Sequence, residues 1–600
     1  MGAVAAVGAT AQPPAPPAWW ARVLIALGFL SLLAVDPLNA GSASGQRSEQ
    51  AVLRVASPMY SASGAVTVVL IDDAFLRRID SGWPMAYREQ GLLLRRILAH
   101  EPASMFVDLL YRHRHSRAPP ADVVPAAGAA VSAADAAAQD VDAPGDLLAP
   151  LPGATDSPIP VLFAALPVER PGERSGVPGS ARPLCTSSLP AKGLFDDAIV
   201  DADSIEPSLR APLGLAAGAA GAAGARRVPV AVATPSATGP RPGVALVSWS
   251  GCGTSYPLLL AASRRGATPA MAMFDATCRR RPELPACQFG GKAPLEVAER
   301  FVAPMTVRWG AFAPREQAPF YAAGVCQRMT DAGGHVPALI RLWRAIQQFA
   351  LGALFDLRDD RRPDLALPCP AVAVVRADAI LDGDAAAVDA LLRGRAVFVG
   401  AQVSGIPDLQ ASPVHGLVPG VVLHAMALDN LLVRGDGYLR PLSSGLSRTI
   451  MLALACAAAV LAPWVVARKP YFRESTRAGA GLALWLAYAV LLAGHGHLSQ
   501  TMAVVAVAIA FDLIKPTDTF RYAVLFAVMG ALANLALALG RTPWNWIGLV
   551  FVVLATTETL KTYLKAGPPK RFPSEASLGR RAWLALRARP PTPLSTGSPP

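Results

Sequence analysis

The sequence predicts an α/β periplasmic domain with a mainly parallel sheet, joined to an all-α transmembrane bundle. Three observations carry that prediction. Short unbroken runs of Val, Ile, Leu and Phe, as at 66–71 and 396–400, suit strands covered on both faces. Stretches with apolar residues at helical spacing follow them. After residue 446, apolar spans succeed one another at short intervals.

The 600 residues are too many for one compact domain. Charged residues make up 16%, below the roughly 25% usual in soluble domains, which points to membrane segments. The net charge of +12 invites a nucleic-acid partner, but many Lys and Arg residues flank apolar spans. With no zinc-knuckle spacing, P-loop or RNA-binding signature, no nucleic-acid partner is expected.

Residues 1–20 form an Ala/Pro-rich stretch expected to be a disordered cytoplasmic N-terminus. Trp19 and Trp20 sit at the interface, and the apolar run Val23–Val35 makes 21–37 a transmembrane signal anchor. Leu38 stands where cleavage needs a small residue, and no Lys or Arg precedes Arg22, so the anchor is read as uncleaved. Residues 38–446 are assigned to the periplasmic domain.

Within it, Val66–Ile71 is a strand ending on Asp72 and Asp73. Met85–His100 is a helix whose Leu92, Leu93, Ile97 and Leu98 form the inner stripe, with Arg95 and Arg96 outside. Pro102 stops it, and Ala103–Leu110, which contains Asp108, is a second strand; together they make a βαβ unit with parallel crossover. Residues 117–157, almost free of aromatics, read as a flexible insertion, and Gly214–Gly224 as an Ala/Gly-rich loop. Further strands are expected at Ile159–Leu166, Val228–Thr234, Val244–Trp249 and Val372–Val375, with a helix at Pro337–Phe355.

The stretch Arg395–Pro441 joins the two halves of the chain. Ala396–Gly400 is a buried strand, a polar loop carries Asp408, Ser412, Pro413 and His415, and Val421–Leu432 is a helix with His424, Asp429 and Asn430 interleaved. The bundle at 447–562 holds about five spans: Ile450–Val466, Ala478–Ala493, Met502–Ile514, Tyr522–Leu539 and Trp544–Leu560; the third is short and contains Asp512. Basic residues gather at alternate loops, in Arg468, Lys469, Arg473 and Arg477, then Lys515 and Arg521, then Lys561, Lys565, Lys570 and Arg571. The intervening loops hold Gly496, His497 and Ser499, or the single Arg541. The positive-inside rule then places the domain outside the cytoplasm of a bacterial inner membrane, with the basic tail 563–600 inside it.

Six of the seven cysteines, Cys185, Cys252, Cys278, Cys287, Cys326 and Cys369, fall between the first span and the later ones; Cys456 lies in a span. An even set in an exported segment suits disulfides. Cys278 and Cys287 are closest in sequence, but spacing does not fix the pairing, and six unpaired buried thiols is the alternative.

Two separated motifs then converge. VVLIDDAFL with Trp83-Pro84 and Arg88, followed by FVDLLY around Asp108, resembles the opening of the CHASE type 2 domain. FVGAQVSGIPDLQASP and PGVVLHAMALDNLL resemble its closing strand, loop and helix. The resemblance implies an extracytoplasmic sensory domain of the kind associated with cyclases and histidine kinases. Five later spans exceed the three expected of that family, and residues 561–600 are too few for a kinase or cyclase. No catalytic output, and hence no enzyme, is expected.

Asp72, Asp73 and Asp108 at strand ends, with Asp408 and His424 from the joining stretch, are the candidate ligand-binding residues. Ligands of open α/β sheets bind beyond the carboxyl ends of strands. Each has an alternative: Asp72 or Asp73 capping a helix, Asp408 closing a turn, His424 as a hydrogen-bonded core residue. Ca²⁺ or Mg²⁺ would suit such oxygen ligands, but no spacing demands a metal, and no cofactor is expected. Ser250–Thr254 carries Cys252 between glycines without the G-x-S-x-G pattern, so a disulfide turn is preferred there. The expected partners are the membrane, a periplasmic ligand or protein, and a separate cytoplasmic signalling protein. The second reading is a structural or assembly component that docks other envelope proteins.

Overall fold

The computed structural model describes residues 40–111, 159–165, 199–201, 227–229, 243–247, 255–259, 266–314, 369–404 and 408–441, with scattered positions at 27–31, 147, 449–453 and 529–555. The insertion at 117–157 apart from Leu147, the Gly214–Gly224 loop, the Pro337–Phe355 helix and most of the five spans lie outside the described residues. Among the described residues, no helix is long and apolar enough to cross a membrane.

The apolar runs become the strands of one parallel sheet. Strand β1 (Val66–Asp72) is buried from Val66 to Ile71. The polypeptide continues through α1 (Ala40–Ala56, preceding β1), α2 (Asp73–Arg78), α3 (Tyr87–Ala99) and β2 (Ser104–Val107). Then come β3 (Val161–Ala165), β4 (Ile199–Asp201), β5 (Arg227–Pro229), β6 (Gly243–Leu246) and β7 (Ser255–Tyr256). Helix α4 (Pro269–Arg280), β8 (Met305–Thr306), β9 (Ala373–Arg376), α5 (Ala377–Asp382) and α6 (Ala385–Leu392) follow. Strand β10 (Ala396–Gln402), the hairpin β11 (Leu409–Ser412) and β12 (Gly416–Pro419), and α7 (Gly420–Arg434) close the domain.

The main sheet has the order β6-β3-β2-β10-β1-β9, with every pairing parallel. The expected βαβ unit is therefore opened. Strands β1 and β2 do not pair; β10, arriving some three hundred residues later in sequence, lies between them and bonds to both. A local reading finds each strand from its own apolar run, but neighbours set by a long crossover leave no mark in either run.

Alternate side chains divide two apolar layers. Val69 and Ile71 of β1, Met105 and Val107 of β2, and Val397 and Val399 of β10 meet α2, α3, α5 and α6. Val66, Val68 and Leu70, Phe106, and Phe398 face α4 and α7. On α3 the inner stripe is Leu93, Leu94, Ile97 and Leu98, whereas Leu92 is exposed. The expected stripe was one residue out of phase at its start, because three consecutive leucines conceal the helical phase.

Helix α7 is buried from Gly420 to Leu432, an unusual depth for a helix carrying His424, Asp429 and Asn430. It reaches the sheet closely because Gly400 has no side chain: a Cβ there would stand 2.6 Å from Val421 Cβ. Asp429 accepts hydrogen bonds from Tyr60 Oη (2.6 Å), Ser63 N (2.9 Å) and Ser63 Oγ (2.5 Å), which fastens the segment before β1 to α7. Asn430 accepts from Arg308 N (3.0 Å) and donates to Arg308 O (2.9 Å) and Met426 O (2.7 Å). These buried polar residues are satisfied structural ties.

A third apolar cluster joins Ala51, Val52, Leu53 and Ala56 of α1 to Leu439, Met529, Ala533, Leu537, Trp546, Leu549 and Val552. Trp546 Nε1 donates to Ser48 O at 3.0 Å, and Thr542 N to Arg440 O at 3.1 Å. Cys278 and Cys287 form a disulfide with their Cα atoms 5.2 Å apart, and Cys369 is also disulfide-bonded. Cys185, Cys252 and Cys326 lie outside the described residues, as does the Ser250–Thr254 turn.

Candidate functional site

The chain leaves neighbouring strands toward opposite layers. After β1 it passes to α2 and α3, and after β2 Tyr111 packs into that same layer, its hydroxyl donating to Gln90 Oε1 of α3 at 2.9 Å. After β10 it crosses to the other layer and forms α7. Such a reversal opens a crevice at the carboxyl ends of the strands, where ligands of open α/β sheets bind.

Asp108 occupies that crevice. It is the first residue beyond β2, and its amide donates to Val399 O of β10 at 2.7 Å. Strand alternation carries it to the side of Phe106, toward α7. Its side chain is 9% exposed, and His424 Nε2 lies 3.9 Å from Asp108 Oδ2, beyond hydrogen-bond reach. Among the described residues its carboxyl accepts no hydrogen bond. Burial, with the Asp408 charge adding to it, pushes the Asp108 pKa up to about 8.

His424 is held from its other side. Its Nδ1 lies 2.7 Å from Tyr256 Oη, and its ring meets those of Phe106 and Tyr256 edge-on at 6.1 and 5.6 Å. Tyr256 Oη also accepts from Ala270 N at 3.3 Å. The other ring nitrogen, Nε2, is the one that faces Asp108. Burial lowers the His424 pKa to about 3, so the imidazole is neutral across the ordinary pH range.

Asp408 joins from the loop after β10. Its carbonyl accepts from Gly420 N at 3.0 Å, and its carboxyl lies against the first residue of α7, with Oδ1 2.5 Å from where a Cβ on Gly420 would stand. Only glycine leaves that place open, and the helix N-terminus favours a carboxylate there. Loss of surrounding water raises the Asp408 pKa.

Of the five residues selected from sequence, the fold thus groups Asp108, Asp408 and His424. Asp72 and Asp73 are engaged elsewhere. Asp72 caps α2, accepting from Phe75 N at 2.8 Å, and its other oxygen lies 3.0 Å from Arg376 Nε. Asp73 accepts from Ser404 N (3.2 Å) and Ser404 Oγ (2.5 Å), bonds that lower its pKa and hold the loop leaving β10. Helix capping therefore accounts for Asp72, as the alternative reading had it.

Tyr256 went unnoticed in the sequence. It stands alone in a two-residue strand, and no spacing links it to a histidine in a helix far along the chain. Among the described residues, no group of three or more His, Cys, Asp or Glu could hold a metal ion. What the cluster offers is a buried, uncompensated carboxyl, a neutral imidazole and a second, more exposed carboxyl.

A family model described as "CHASE2 domain" matches residues 23–461. No curated protein and no solved structure gives a significant match.

Proposed function

This chain belongs to the CHASE2 domain family, an extracytoplasmic sensory domain family, and we propose that it is an inner-membrane sensor of a bacterium. Its head binds a small ligand in the crevice between β2 and β10, and the bundle passes the change to a separate cytoplasmic protein. The head acts as a binding module, without catalysis of its own. The observation that carries this reading is Asp108: a buried carboxyl that accepts no hydrogen bond among the described residues, at the place where the sheet topology opens a crevice. Burying such a group unpaired costs stability and favours a partner that arrives from outside.

Membrane anchoring is supported by the apolar spans of the sequence and by contacts on the head side. Gly540 to Thr542, between the fourth and fifth spans, lies against Arg440 at the exit of the head. The charge alternation of the loops assigns this turn to the head's side of the membrane as well. A docking role finds one favourable observation: Leu409 and Leu417 are exposed and, by the register of the β11–β12 hairpin, share a face.

The test is hydrogen exchange on the full chain in lipid nanodiscs, with and without the low-molecular-weight fraction of a periplasmic extract. Sensing predicts slower exchange over 401–424 when the extract is added. Unchanged exchange throughout that segment contradicts a small-ligand site.

A further inference from the structure

We infer that the crevice takes a protonated amine, with Asp108 and Asp408 as its anionic partners and the neutral His424 ring beside Asp108. The inference rests on the sensory reading above and adds the chemistry of the ligand. Four observations point the same way. Asp108 is nine-tenths buried, yet among the described residues its carboxyl accepts no hydrogen bond. A second carboxyl, Asp408, lies against Gly420 at the start of α7, the helix that carries His424, and its charge adds to the rise of the Asp108 pKa. Two acids at one site repel an anionic ligand. The Phe106 ring, buried against His424, makes the inner side of the site apolar.

A metal ion fits less well. Among the described residues, no group of three or more His, Cys, Asp or Glu could hold a metal ion, and the Tyr256 hydroxyl already stands at His424 Nδ1. Among the described residues the site offers two carboxylates, whereas Ca²⁺ takes six to eight oxygens. An ammonium group is compact, brings three N–H donors of its own and needs only acceptors.

Binding has a definite proton balance. The titratable groups around Asp108 are Asp408 on the loop after β10, His424 on α7 and Tyr256 on β7. His424 and Tyr256 are neutral at pH 7, so the proton displaced by the incoming ammonium comes from the Asp108 carboxyl. The products are an ammonium–carboxylate pair and a proton released to solvent.

The experiment is calorimetric titration of the full chain in nanodiscs at pH 7 with propylamine hydrochloride, 1-propanol or calcium chloride. So small an amine is expected to bind with a dissociation constant of about 1 mM, releasing protons detectable as a dependence of the heat on buffer ionisation. Asp108→Asn is expected to weaken it about 10–100-fold, and Asp408→Asn, at an exposed residue that tolerates change, in the same direction. Propylamine binding no tighter than 1-propanol overturns the inference. So does calcium binding that Asp108→Asn removes, or a propylamine isotherm that neither variant alters. If the extract slows exchange over 401–424 while propylamine fails, the amine chemistry falls and the sensory head stands; if neither acts, both fall.

Discussion

Asp108 and His424 are perturbed in opposite directions, and together they give the head a pH signature. The folded Asp108 titrates near 8, against about 3.9 in an unfolded chain, and the folded His424 near 3, against about 6.5. Between about pH 4 and 6.5 the folded state holds one proton on Asp108 and the unfolded state holds one on His424, so the two slopes cancel. Between about 6.5 and 8 only the folded state keeps its proton, and stability falls by about 1.4 kcal/mol per pH unit. Asp108→Asn removes that proton from the balance. Thermal unfolding midpoints should then rise from pH 4 to 6.5 in the variant and stay level above, while the parent is level and then declines. Parallel profiles for the two proteins would contradict the assignment. At this scale the sequence was informative about residue type and silent about company. Asp72, Asp73 and Asp108 look alike as acids at strand ends, but only the strand order decides that Asp108 faces the crevice and Asp72 meets Arg376.

Strand β10 and helix α7 form the element on which the site depends, and their contact is governed by Gly400. Added to Gly400, a methyl group would meet Val421 Cβ and Cγ1 at 2.6 Å, and a β-branched side chain on a buried helix cannot turn away. Gly400→Ala should lower stability by about 1–3 kcal/mol, as overpacking does in cores. Val421→Ala in the same chain should recover part of that loss, measured as a denaturation midpoint. Additive losses in the double variant would show that the two residues do not share this contact. The strands β1, β2, β3, β6, β9 and β10 were all legible as apolar runs, because a parallel strand is covered on both sides and needs no polar alternation. Helix α7 was legible from its spacing. Helices α1 and α4 were not: α1 is rich in Gly, Ser and Gln and is buried by distant residues such as Trp546, and α4 follows a turn that gives no capping bond. The expected strand at Val228–Thr234 meets β5 (Arg227–Pro229) in its first two residues, and 230–234 lie outside the described residues.

Among the described residues, a connection runs from the Asp408 loop toward the C-terminal part of the chain. The loop holding Asp408 runs into the β11–β12 hairpin, whose Pro413 carbonyl accepts from Arg54 of α1. Helix α1 in turn lies in an apolar cluster with Met529, Ala533, Trp546 and Leu549. A ligand that alters the Asp408 loop therefore acts on a helix shared by the head and the C-terminal helices, provided it binds two arrangements of that loop with different affinity. The strands of the head were legible in local sequence, and charge asymmetry among the loops is what supports its expected placement; the contact of α1 with Trp546 could not be read, because the two are almost five hundred residues apart and meet only in the fold. The central claim is that the Asp108 crevice faces the outside of the inner membrane. Arg95 on the exposed side of α3 and Lys565 in the basic tail stand on opposite sides of the membrane in this account. Arg95→Cys and Lys565→Cys chains, expressed separately and treated in intact spheroplasts with a membrane-impermeant maleimide, measure this directly. The account predicts labelling above the parent chain at Arg95→Cys and none above it at Lys565→Cys until the membrane is broken. Arg95→Cys protected until lysis would contradict it.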